Sequence, residues 1–195
     1  MQRSGSDMES LSESVGSAGT RESGSTNWYA LRTKPRHEKM AAMMLSHKGY
    51  ESLLPLYKCK RPRPGRLRDV ELPVFPGYLF CQFDATARLP ILTTPGVLHV
   101  VGLGRAPIPV AENEIQAIQR LVSSPLQAEP WPYVEAGQTV YVQEGPLQGV
   151  EGILLAIKNS HRLVISITLL KRAVAVEIER AAVTATAPRT SRIAN

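Results

Sequence analysis

Trp28-Tyr29-Ala30-Leu31-Arg32-Thr33 alternates well enough to predict a first strand, after which the apolar residues change period. From Arg36 to Lys48, Met40, Met43, Met44 and His47 recur at three- and four-residue spacing. Pro35 stands at a favoured first helical position and Gly49 supplies a stop, so a helix is predicted whose methionine stripe packs into the core. Tyr50 to Tyr57 reads as a second strand, Lys58 to Arg68 as a loop, and Leu72 to Phe83 as a strand interrupted by a Pro76-Gly77 turn. Pro95-Gly96 opens a strand over Val97 to Val101. A second helix is predicted from about Val110 to Val122, with Ile115, Ile118, Leu121 and Val122 on one face. The order β-α-β-β-β-α predicts an α+β fold, a small α/β sandwich with helices on an antiparallel sheet.

Beyond this unit the pattern changes. Ser123 to Pro132 holds three prolines and two serines and reads as a linker. Only short strands follow, at Thr139–Val142, Val150–Ile157, Arg162–Leu169 and Ala173–Ile178, with turns at Gly145-Pro146, Asn159-Ser160-His161 and Lys171-Arg172. So many strands in so short a segment stabilise themselves by curling into a small barrel. The predicted organisation is a disordered Ser/Gly tail over 1–26, a first domain over 27–122, a linker over 123–132, a second domain over 133–186 and a flexible C-terminus over 187–195.

Composition alters this picture only when divided along the chain. The net charge is +6, yet residues 1–27 sum to −2, residues 28–122 to +7 and residues 123–187 to −1, with two arginines in the last eight. The basic excess belongs to the first domain, which is the one expected to meet nucleic acid. Within it, Lys58–Arg68 has six basic residues in eleven and no acid, suited to a nucleic-acid contact or to a solvated hairpin tip. No apolar run approaches the roughly 20 residues of a membrane span. The first residues lack a secretory pattern, and Cys59 and Cys81 fit neither a zinc framework nor a disulfide scaffold. A cytoplasmic, monomeric protein with no cofactor, no metal and no membrane partner is expected. The chain shows no nucleophile–base pattern and no phosphate loop, so no enzymatic activity is expected.

Two stretches carry candidate function. Val74-Phe75-Pro76-Gly77-Tyr78-Leu79-Phe80 places three of the nine Phe and Tyr residues within six positions, either as a core strand behind a turn or as the floor of a docking surface. Val140 to Gly152 brackets a sharp turn between Gly145 and Gly149, with Gly152 suited to close backbone approach. The latter, through Gly145, Pro146, Gly149 and Gly152, closely resembles the KOW motif of SH3-like barrels. Trp28-Tyr29, the Lys34-Pro35-Arg36-His37-Glu38 helix start, Val74–Phe80, Thr94-Pro95-Gly96-Val97 and Pro107-Ile108-Pro109 occur in the order of the NGN domain. NGN, proline-rich linker and KOW together resemble the NusG family of transcription elongation factors over about residues 28–186. Thr33–Lys39 with Leu53-Leu54-Pro55-Leu56 is most similar to the specialised UpxY, LoaP and RfaH-type paralogues.

The resemblance implies an NGN sandwich joined to an SH3-like KOW β-barrel. It implies docking on the beta-prime clamp helices of RNA polymerase through Phe75, Tyr78, Phe80, Leu103 and Ile115, and an approach of the Arg88 region to the beta-subunit gate loop. It further implies upstream and non-template DNA facing Lys34, Arg36, His37, Lys39 and Lys48, and a NusE-type ribosomal protein or Rho bound by the KOW barrel. The expected function is transcription antitermination. A housekeeping elongation and termination factor is the alternative, and an RNA-binding or ribosome-associated KOW module a second. One family member converts its KOW segment between a helical hairpin and a barrel; the β-rich pattern here predicts a permanent barrel.

Overall fold

The computed structural model describes residues 26–157 and 160–186. The tail expected over 1–26, apart from Thr26, and the C-terminus expected over 187–195 lie outside the described residues.

The first half is built on β1 (Asn27–Thr33), α1 (Glu38–His47), β2 (Ser52–Leu53), β3 (Leu56–Arg63), β4 (Arg66–Pro73), β5 (Tyr78–Phe83), α2 (Leu89–Leu92), β6 (Val97–Val100), β7 (Gly102–Leu103), β8 (Ala106–Pro107) and α3 (Glu112–Ser123). Four strands form an antiparallel sheet in the order β2-β5-β1-β6. The register Tyr29↔Cys81, Ala30↔Phe80, Leu31↔Leu79 sorts side chains by strand alternation. Tyr29, Leu31, Leu79, Cys81 and Phe83 pack with Ala41 and Leu45 of α1 and with Ile91 of α2. Trp28, Ala30 and Phe80 face the other way, with Ile115, Ile118 and Leu121 of α3. Helices therefore cover both faces, and β1 and β5 are buried on both sides, as the expected sandwich requires.

Two expectations are corrected. The first helix begins at Glu38 rather than Arg36, because Arg36 takes a left-handed conformation (φ 64°) and Pro35-Arg36 becomes a turn closed by the His37 N–H donating to the Lys34 carbonyl (3.1 Å). Its buried stripe is Glu38, Ala41 and Leu45, and the methionine stripe points outward, Met40 37% and Met43 56% exposed. Buried Glu38 fixes this rotation: its carboxylate accepts the Gly77 N–H at 2.8 Å, and Gly77 in turn accepts the Thr33 N–H at 2.9 Å. Gly77 has φ 80°, and a Cβ there would fall 2.8 Å from an Arg32 guanidinium nitrogen, so Pro76-Gly77 accepts no bulkier residue without displacement. The second correction concerns 58–68, which is no loop. β3 and β4 pair over their full length as a separate two-stranded ribbon, joined by Pro64-Gly65 with Gly65 at φ 78°, as a type II turn requires.

The second half contains β9 (Ala128–Trp131), β10 (Gln138–Val142), β11 (Glu151–Ile157), β12 (Ser160–Ile167), β13 (Arg172–Ile178) and β14 (Val183–Ala185), in one antiparallel sheet of order β14-β10-β11-β12-β13-β9. β10 to β13 follow the predicted strands. The stretch read as linker instead gives Ser123 to α3 and Ala128–Trp131 to β9, which pairs with β13 through Ala173↔Trp131 to Val176↔Ala128. Arg162 holds this edge, ion-paired to Glu129 and lying 4.8 Å over the Trp131 ring.

The two halves share one apolar cluster: Phe75, Phe80, Ile115, Ile118 and Leu121 belong to it together with Val140, Leu163, Ile165, Ile167 and Val174. α3 sits at this junction. Its buried arc includes Ala117 beside Ile115, Ile118 and Leu121, while Val122 is 36% exposed. That arc is wider than one sheet face can cover, and β12 packs against the helix as well.

Candidate functional site

The aromatic strand and α3 meet the second domain along one seam. Phe75, Phe80 and Ile115, three of the five residues predicted to dock, are fully buried, and Phe75 stands edge-on to Phe80 at 5.7 Å. In this arrangement none of the three offers a side chain to a partner, because alternation turns Phe80 toward α3 and Ile115 toward the shared cluster. The other two differ. Leu103, on the short β7–β8 hairpin, is 79% exposed. Tyr78 is half-buried beneath two guanidinium groups, Arg32 of its own sheet at 4.6 Å and Arg172 of β13 at 5.6 Å. Its ring is thus a cation–π contact point between the domains.

Two polar links flank the apolar part of the seam. The Glu114 carboxylate accepts the Thr168 N–H (3.2 and 3.3 Å), and Arg120 donates to the Gln148 carbonyl at 2.6 Å. Both come from α3, and Arg120 reaches into the predicted KOW turn. There Gly145 (φ 87°) and Gly149 (φ 86°) bend the chain between β10 and β11, Pro146 is exposed, and Leu147 is buried behind it. The Gly149 N–H donates to the Val142 carbonyl at 2.9 Å, closing the turn. A Cβ on Gly152 would lie 2.7 Å from the Val164 carbonyl oxygen, so β11 and β12 approach closely only because that position lacks a side chain.

The predicted nucleic-acid residues separate into two groups. Lys34, Arg36 and His37 are exposed together ahead of α1, with His37 Nδ1 3.0 Å from the Pro35 carbonyl oxygen. Lys39 follows them and pairs with Glu71 of β4 at 3.7 Å. Lys48 lies at the far end of the helix, where its ammonium donates to the Pro90 carbonyl and the Thr94 hydroxyl, each at 2.8 Å. It ties α1 to α2. Arg88 donates to the Arg105 carbonyl at 3.3 Å. Sequence reasoning missed Arg32, Glu114, Arg120 and Arg172. Only the width of the apolar arc on α3 hinted that a second surface covers this helix.

Burial, reinforced by the Glu51 charge, pushes the Cys81 thiol from its ordinary 9.0 up to about 12. Among the described residues no group of His, Cys, Asp and Glu is arranged to hold a metal, and no helix is long and apolar enough to cross a membrane.

Comparison with known proteins agrees with these features. The family model "NusG: Transcription termination factor nusG" matches residues 26–119. Proteins named transcription termination/antitermination protein NusG are similar over most of the chain. That of Vibrio parahaemolyticus is 31% identical over 135 residues (66% of this chain, 74% of its own). That of Thermus thermophilus is 28% identical over 177 residues (80% and 96%). A solved structure, "Domain interaction in Thermotoga maritima NusG", shares the fold with a TM-score of 0.51 at 20% identity, over 84% of this chain and 98% of that one.

Proposed function

The chain belongs to the NusG family of transcription termination/antitermination proteins, and from that membership we propose that its first domain docks RNA polymerase through the surface around Tyr78 and Leu103. There it suppresses pausing and termination, in the specialised antiterminating role that Thr33–Lys39 resembles. Phe75, Phe80 and Ile115 support this surface from beneath. The observation that carries the reading is the placement of Tyr78. An aromatic ring at a domain seam, covered by one removable guanidinium from the second domain, is an anchor that opening exposes.

Docking acts by differential binding. A factor that spans the polymerase cleft raises the elongating population only to the extent that it binds the closed clamp better than the open one. Lys34, Arg36 and His37 belong to the same domain and add phosphate contacts that strengthen binding without reading sequence. The second domain, once released from α3, is free to hold a second protein such as a NusE-type ribosomal protein or Rho, its tether raising the local concentration.

The test uses the full chain with purified polymerase. Leu103→Glu combined with Tyr78→Ala is expected to weaken binding at least tenfold and to abolish read-through in a run-off assay, while circular dichroism stays native. Full binding by a folded double variant would refute the docking surface. Unchanged pausing and termination with the wild-type chain would refute the antiterminating role.

A further inference from the structure

The methionine stripe of α1 is left without a role once the helix buries its other face. Three of the chain's five methionines, Met40, Met43 and Met44, fall within five positions, and His47 follows on the same side. Met40, Met43 and His47 are exposed and Met44 is half-buried, so none of the four fills the core behind Ala41 and Leu45. Their spacing brings them together. Met40 precedes Met43 and Met44 by three and four residues, and His47 follows the same pair by four and three. Side chains at those separations are neighbours on a helix, with Cβ atoms about 5–6 Å apart, so the four stand at the corners of a diamond. Long helical side chains lean back toward the N-terminus, which tips the His47 ring over Met43 and Met44. Charge is kept off this face. The Lys39 ammonium pairs with Glu71, and the Lys48 ammonium is held by the Pro90 carbonyl and the Thr94 hydroxyl. Glu38, the one carboxylate of the helix, is buried against Gly77. Among the described residues no hydrogen bond or ion pair engages the His47 ring.

We propose that this face of α1 binds one soft monovalent metal ion, Cu(I) or its redox-inert analogue Ag(I), through the Met43 and Met44 thioethers and the His47 imidazole, with Met40 as a fourth donor. The donor set selects the ion. Thioethers are neutral and polarizable ligands that favour Cu(I), and imidazole suits copper as well. Mg²⁺ and Ca²⁺ are held by carboxylate and carbonyl oxygens, and this face carries no carboxylate. Zn²⁺ draws on thiolate, imidazole and carboxylate ligands, of which the diamond supplies a single imidazole, and among the described residues no other His, Cys, Asp or Glu joins it in a metal-holding group. An apolar docking stripe gains nothing from an imidazole at its corner, whereas each of these four side chains brings one neutral lone-pair donor. The last two turns of the helix also carry the negative end of its dipole, which favours a cation there. Binding displaces water from the ion and transfers no electron.

The experiment titrates silver nitrate in chloride-free buffer into the full chain carrying Cys59→Ser, which removes the accessible thiol, and repeats the titration with Cu(I) kept reduced by ascorbate and with Zn²⁺. Calorimetry reads stoichiometry and affinity, and carbon-13 labels on the methionine methyl groups locate the ion. One equivalent of Ag(I) and of Cu(I) is expected, each with a Kd below about 100 μM. The Met43 and Met44 methyl signals, and that of Met40, are expected to shift while those of Met1 and Met8 stay in place. Met43→Leu with Met44→Leu is expected to weaken binding at least about tenfold. Its circular dichroism and melting temperature should stay near those of the parent, because Leu for Met conserves volume on a largely exposed face. His47→Gln, a substitution fully at the surface, is expected to weaken binding as well. A weaker Kd in the parent, equal affinity in the double variant, saturation without movement of the Met43 and Met44 methyl signals, or preference for Zn²⁺ would each overturn the proposal. The site shares no residue with the docking surface around Tyr78 and Leu103, so either reading can fail while the other stands.

Discussion

Removing both polar links of the domain seam, by Glu114→Ala with Arg120→Ala, is expected to open the molecule and tighten its grip on polymerase. Each link joins a charged side chain to a backbone group, Glu114 to the Thr168 N–H and Arg120 to the Gln148 carbonyl. Hydrogen bonds to charged groups contribute about 1.5–3 kcal/mol, and solvent access to this pair puts each nearer 1 kcal/mol. Loss of about 2 kcal/mol shifts the closed-to-open ratio roughly 30-fold. If the seam is open in about 1% of molecules, the variant would be open in about a quarter, and apparent affinity would rise about 20-fold. Donor and acceptor dyes placed on the exposed positions Met43 and Glu151 would report separation, and biolayer interferometry the affinity. Dyes that separate while polymerase affinity stays at its wild-type value would refute the claim that the seam covers the docking surface. Dyes that do not separate would refute the assignment of closure to these two links.

Other outcomes follow from the same geometry. Glu38→Ala leaves the buried Gly77 N–H without its acceptor and is expected to destabilise the first domain by about 1.5–3 kcal/mol, read from urea midpoints. Gly152→Ala forces a Cβ onto the Val164 carbonyl and is expected to lower the melting temperature by several degrees, while Gly145→Ala, with open space around it, costs only the strain of its positive φ. Iodoacetamide at pH 8 is expected to modify Cys59 and spare Cys81, identified by peptide mass spectrometry. Because the folded Cys81 pKa is raised, the stability it contributes is complete below 9.0 and drains as the pH climbs toward about 12, so Cys81 modification should rise together with alkaline unfolding.

The sandwich and the strand-rich second domain were legible because alternation, proline positions and glycine turns are local properties. Val140 to Gly152 carried its turn in plain view, since Gly145 and Gly149 take the positive φ their spacing implied. What escaped was set by contacts distant in sequence. The methionine stripe of α1 has helical period, yet the Arg36 turn and the Glu38–Gly77 bond choose the opposite face for burial. Phe80 and Ile115 read equally as anchors or core, and only the second domain decides the matter. Prolines and a glycine break the local pattern of the ribbon and give it the look of a loop, although cross-strand register from Leu56↔Pro73 to Arg63↔Arg66 overrides them.

The strand β9 turns the connection between domains into a ruler with two settings. While β9 stays zipped to β13, only residues 124–127 separate the end of α3 from the second domain. The start of β9 then stays within about 18 Å of Ser123. Peeling β9 away, against the Arg162 clamp on Glu129 and Trp131, lengthens the leash to about 50 Å, the span from Ser123 to Gln138. The second domain can therefore sit close to the end of α3 or range widely from it, and Arg162 sets the threshold between the two.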